Sequence, residues 1–149
     1  MPLHFDLRSR IGSLDTADRL NLGAEDILHL LTRFEPLGIW RIDARTGECR
    51  LSRQCLEIYG FSGNEVGLDL AACRDRIHHA DLPVFSEAIS TAVERRSSFM
   101  INYRVSSGQG VYRFVRSIGM YRPREDGGAD VVGVTQLVGE QIRQLVMTS

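Results

Sequence analysis

The side chains able to do chemistry in this chain fall into three groups. Asn102 and Arg113 lie on two segments of alternating character. If they share a face, an amide beside a guanidinium makes a polar end that forks onto a carboxylate. His78 and His79 offer two imidazoles. Adjacent residues usually point apart, however, and no carboxylate or cysteine stands at a ligating spacing, so the pair alone does not predict a metal site. Cys49, Cys55 and Cys73 are odd in number and not closely spaced, which argues for reduced, buried thiols rather than a disulfide frame or a zinc knuckle. Gly60-Phe61-Ser62-Gly63 lacks the small-residue elbow of a nucleophilic serine, and no Walker or Rossmann glycine pattern occurs. No catalytic residue is expected.

The elements that must position these groups read clearly. Phe99 to Gly119 holds two runs of β-branched and aromatic residues around a Ser/Gly turn, an antiparallel hairpin. Alternation puts Met100, Asn102 and Arg104 on one side of the first strand, opposite Ile101, Tyr103 and Val105. Arg113, Val115, Ser117 and Gly119 separate in the same way from Tyr112, Phe114, Arg116 and Ile118. Ile39 to Asp43 and Glu48 to Ser52 form an earlier hairpin, and Ala129 to Val138 a last strand. Ala24, Ile27, Leu28, Leu31 and Phe34 recur at helical spacing, with acids in the first turn and Pro36 beyond the end. Ser52 is expected to cap a short helix that Gly60 ends. Asp81, with Pro83 in the first turn, is expected to cap a longer helix running to Arg95. Gly139 to Val146 returns to helical character. Strands at both ends with helices between them predict an α+β fold, an antiparallel sheet covered on one face.

With 149 residues, 43% of them hydrophobic and 25% charged, the chain suits one domain with extensions: residues 1–35 as an N-terminal helical extension, 36–140 as the domain, and 141–149 as the start of a helix or linker. All 18 basic residues are arginine, a bias expected of a GC-rich bacterial genome. The net charge of −1 and the scattering of those arginines exclude the footprint of a nucleic-acid binder. No apolar run approaches the roughly 20 residues of a membrane helix, and the start lacks a signal-peptide pattern, so the expected location is the cytoplasm.

The order of elements, together with seven short matches, resembles a PAS domain of the kind common in bacterial sensory kinases. The matches are Gly38 to Asp43 with Thr46-Gly47, Tyr59 to Ser62, Ile77 to Asp81, Tyr103 to Val105, Gly110 to Arg116, Asp126-Gly127, and Val132 to Val134. The resemblance covers about residues 36 to 140 and implies a five-stranded antiparallel sheet with short helices on its concave face, often around a small-molecule pocket. The chain departs from the family at His79-Ala80, where Pro and Asp are frequent, and at Asn102, where Glu is frequent. It departs again at Leu137-Val138-Gly139, where an Asp-Ile-Thr element commonly relays the signal.

Within that frame Trp40, Ile42, Val115, Ser117 and Thr135 are expected to face a pocket, with Asn102 and Arg113 at its polar end. Flavin is not expected, because Cys73 lies in the wrong context and Arg113 and Thr135 replace the amides that flavin wants. Haem held by His78 or His79 stands as an alternative to a His78 that merely bonds backbone. Ile27, Leu28, Leu31 and Phe34 need an apolar partner, which Tyr112, Phe114, Val132 and Val134 could supply within the chain or across a homodimer. The function so implied is a sensory module that couples ligand or partner binding to an output domain or partner protein of a two-component system. A ligand-free interaction module and a haem-based sensor are the alternatives.

Overall fold

Segments with a two-residue period pair into one antiparallel sheet, and those with helical periodicity, apart from the first, lie against one of its faces. The computed structural model describes residues 19–62, 68–106 and 110–139. Helix α1 (Ala24–Thr32) precedes β1 (Leu37–Asp43), β2 (Glu48–Leu51) and α2 (Arg53–Ile58). Then come β3 (Leu68–Asp69), α3 (Leu70–Asp75), α4 (Leu82–Arg95), β4 (Ser98–Ser106), β5 (Tyr112–Pro123) and β6 (Ala129–Leu137). The strand order is β3-β2-β1-β6-β5-β4, every pair antiparallel. The sheet has six strands where five were expected. The extra one, β3, is two residues long and pairs with Glu48 and Cys49, too short to leave a periodic trace in the sequence.

Strand alternation sorts the sheet into a buried and an open face. Trp40, Ile42, Cys49, Tyr103, Val105, Val115, Val131 and Thr135 point inward and are buried under α2, α3 and α4. The helices contribute Cys55, Ile58, Cys73, Phe85, Ile89 and Ala92 to the same core. Ser52 caps α2 as expected, its Oγ accepting from the Cys55 N–H, and Gly60 follows the helix at φ +71°.

The α4 start differs from expectation. Asp81 occupies the N-cap position, but its carboxylate makes no cap bond. It accepts instead from Arg104, at 2.9 Å from both Nε and the main-chain N–H and 3.0 Å from Nη2. A two-pronged charged partner wins over a single helix N–H. At the far end of the sheet Arg124 bridges Asp43 and the buried Asp130, which ties the β5–β6 turn to the end of β1. The turn at Ser107-Gly108-Gln109, the segment 141–149 and the first 18 residues lie outside the described residues.

Candidate functional site

The interior between sheet and helices is the first candidate. Trp40 opens it, because its inward position pairs with Gly133, which pairs with Gly119, which pairs with Phe99. The two glycines leave a flat floor on which the indole lies. A Cβ on Gly119 would stand 2.8 Å from Trp40 Cη2, and one on Gly133 would strike the indole and the Ile118 carbonyl. The indole ends against Phe99, ring centroids 6.3 Å apart, and its Nε1–H donates to Thr135 Oγ1 at 2.9 Å. From Thr135 a buried row of hydroxyls runs on: Ser117 at 2.6 Å, Tyr103 at 2.7 Å from Ser117, and Tyr59 at 2.5 Å from Tyr103. Burial pushes Tyr103 up to about 12 and Tyr59 well above the phenol range, so both stay protonated and can bond.

What remains open inside is a void of about 20 Å³, bordered by Trp40, Tyr103, Ser117 and all three cysteines. That is room for about one water. Burial raises the Cys55 thiol to about 12, and its hydrogen bond with Cys73, with burial, raises the Cys49 thiol. The same bond lowers Cys73, so Cys49 and Cys55 are the thiols held protonated in the core.

The residues expected at the polar end do not come together. Asn102 pairs with Arg116 across the hairpin and is exposed on the outer face, where its Oδ1 accepts from Arg116 Nε at 3.2 Å. Arg113 pairs with Val105 on the inner side. The expectation of a shared face is therefore corrected: Asn102 meets residues of even number, and one residue of register moves a side chain through the sheet. Arg113 Nη2 donates to the Ile58 carbonyl at 2.8 Å, at the negative end of α2.

The cofactor alternatives do not fit these residues. His78 lies between α3 and α4, stacked on His79 at 4.5 Å and edge-on to Tyr112 at 4.8 Å. Its Nδ1 accepts from the Ala80 N–H at 3.0 Å, and among the described residues the interior void is smaller than a porphyrin or a flavin ring. Burial lowers the His78 pKa.

The second candidate is the outer face of the sheet. There Val132 and Val134 line a groove of about 1090 Å³ that crosses five strands. One wall runs Ile39, Val134, Ile118, Met100 and the other Arg41, Val132, Met120, as the register dictates. Ile39, Met100, Ile118 and Met120 are 43 to 62% exposed, a contiguous apolar surface bordered by Arg41, Arg50 and Arg122. Alternation along β5 already carried Ile118 and extends to Met120, whereas Ile39 and Met100 join them through the strand register. Tyr112 and Phe114 share this face but lie beyond the groove, Tyr112 against His78 and Phe114 under the Arg104 guanidinium at 5.9 Å. Helix α1 buries none of its residues. Ile27, Leu28, Leu31 and Phe34 are 41 to 57% exposed, so the helix does not cover its own sheet.

Together these features define an α+β protein with one open antiparallel sheet and helices on one face, the other face being uncovered among the described residues. The family model for the PAS fold matches residues 48–135, and the chain belongs to that family. No curated protein matches the sequence significantly. Among solved structures, a sensory box histidine kinase/response regulator from Burkholderia thailandensis shares 25% identity at a TM-score of 0.57, with 68% of this chain and 76% of that one covered. A domain of a light and redox sensing histidine kinase, itself described as putative, from Haloarcula marismortui reaches a TM-score of 0.62 at 17% identity, covering 76% and 98%. An RNA-binding light-oxygen-voltage receptor gives 0.61 at 16%; 74% of this chain spans 31% of that receptor. Among the described residues no helix is long and apolar enough to cross a membrane.

Proposed function

We propose that this chain is a PAS regulatory module that couples binding at the outer face of its sheet to signal output, as part of or partner to a two-component signalling protein. The observation that carries this reading is the contrast between a closed interior of about 20 Å³ and two open apolar surfaces, the sheet groove and α1. Likeness to a sensory box histidine kinase/response regulator supports the signalling context. The occupant is α1 of a second copy. Its apolar stripe matches the groove, and Glu25 and Asp26 in its first turn complement the arginines at the groove's border.

Energetics favour a reversible contact. Four half-exposed apolar side chains on each of two helices bring roughly 6 to 12 kcal/mol when buried. Association costs about 4 to 15 kcal/mol. A weak dimer, suited to regulation, is the result. Sedimentation velocity tests it: the wild type self-associates, and Leu31→Asp or Ile118→Asp remains monomeric with unchanged circular dichroism. Monomeric wild-type protein at all concentrations would reject the reading.

A ligand-coupled version draws support from the hydroxyl row beneath Trp40, which becomes available if the indole swings away. Native mass spectrometry of purified protein tests it through a bound mass lost on denaturation.

A further inference from the structure

The edge of the sheet at β4 has a hydrogen-bonding pattern that the sheet-face reading does not use. Near its C-terminal end the edge is occupied. The Arg104 N–H meets Asp81, the Arg104 carbonyl accepts from the His78 N–H at 2.9 Å, and the Ser106 N–H reaches the Arg76 carbonyl at 2.7 Å. Even-numbered residues of β4 therefore turn both main-chain groups away from β5. Just before β4, the Ser97 carbonyl accepts from the Tyr121 N–H, so odd numbers face β5. By the same alternation Met100 and Asn102 send two N–H and two C=O groups outward, and none has a partner among the described residues.

Alongside that open stretch runs a groove of about 260 Å³ between α4 and β4, lined by Val84, Ala88, Thr91, Phe99 and Ile101, with Glu87 at its rim. It is smaller than the roughly 300 Å³ of the least drug-sized pocket and suits a side chain. On the opposite face of the edge Arg116 is exposed, with Asn102 as its neighbour and no acid in contact among the described residues.

We propose that the β4 edge binds an extended peptide segment of a partner protein by strand addition. Unpaired main-chain groups at strand spacing call for another extended main chain, since a helix has already satisfied its own. Alternation in the added strand then places apolar side chains toward the α4 groove and acidic ones toward Arg116. Glu87 keeps acids off the inner side. A second copy is disfavoured, because a two-fold axis at this edge sets Arg116 near Arg116 and Glu87 near Glu87 of the other copy.

The test uses a short fluorescein-labelled peptide alternating glutamate and valine, titrated into the full chain and followed by anisotropy. The expected result is saturable binding below about 1 mM. N-methylation of the amides that face β4 weakens it about tenfold or more, the worth of two lost hydrogen bonds, while N-methylation of the opposite amides does not. Met100→Pro, which an edge strand tolerates, and Ala88→Arg, which fills the groove, weaken it likewise. Absence of saturation, or equal binding by the two N-methylated peptides, overturns the proposal. So does a wild-type dimer that Ala88→Arg, which lies outside the sheet-face groove, turns into monomer, because that assigns the edge to a second copy.

Discussion

The indole of Trp40 and the two glycines beneath it show how much of this protein depends on single side chains. A methyl on Gly133 would meet both the Ile118 carbonyl and the indole. Gly133→Ala is expected to cost about 1 to 3 kcal/mol, read as a lower urea midpoint together with altered Trp40 fluorescence. Unchanged values for both would mean that the indole moves freely. Charges act at the same scale. Main-chain N–H groups of Thr46 and Arg45, then Arg124, hold the Asp43 carboxyl well below the usual range, and Arg104 does so for Asp81. Carboxylates with lowered pKa stabilise the fold above their unfolded value of 3.8, and that contribution is lost as pH falls below it. Burial lowers His78 from 6.5, so its protonation favours the unfolded chain as pH falls through that value. Thermal melts should therefore decline in two stages on acidification, gently below about pH 6.5 and steeply below about pH 4. His78→Gln should remove the first stage only.

At the scale of elements, what the sequence revealed depended on length and parity. Helix α4 and strands β1, β4, β5 and β6 were legible because each carries several periods of its pattern, whereas β3 has only Leu68 and Asp69. The inward set Trp40, Ile42, Val115, Ser117 and Thr135 followed from alternation, and the structure buries all five. That Asn102 and Arg113 fall on opposite faces was not legible, because hairpin register depends on the parity of the turn and not on the strands it joins. Tyr59 escaped because only the tertiary fold brings a residue at the end of α2 to Tyr103. The uncovered α1 makes a sharper prediction at this scale. If α1 of each copy sits on the other's sheet, Leu31→Asp retains a good sheet and Ile118→Asp a good helix. Mixed in equal amounts, the two monomeric variants should form a heterodimer with one of the two contacts intact. Because half of the roughly 6 to 12 kcal/mol remains, this heterodimer is weaker than the wild-type dimer. Sedimentation velocity at high concentration reads it, and a mixture that associates no more than either variant alone counts against the reciprocal arrangement.

For the whole molecule, the question is whether the domain works as a container or as a surface. A container needs room, and here the indole, the hydroxyl row and three thiols fill the interior to about one water's volume. Among the described residues the sheet and helices close on the tryptophan side chain. Trp40→Ala tests this for the molecule as one cooperative unit. Removing the indole deletes its contact with Phe99, its bond to Thr135 and the filling above both glycines, at an expected cost of about 3 to 5 kcal/mol. The cavity left behind has the shape of an indole and a hydrogen-bond acceptor at the right place, so free indole should bind it. At a hundred times its dissociation constant, indole returns about 2.7 kcal/mol and raises the melting temperature of the variant while leaving the wild type unmoved. A variant that loses less than about 1 kcal/mol, or a wild type that indole also stabilises, would mean that the interior is already open to small molecules and that the container reading should replace the surface one.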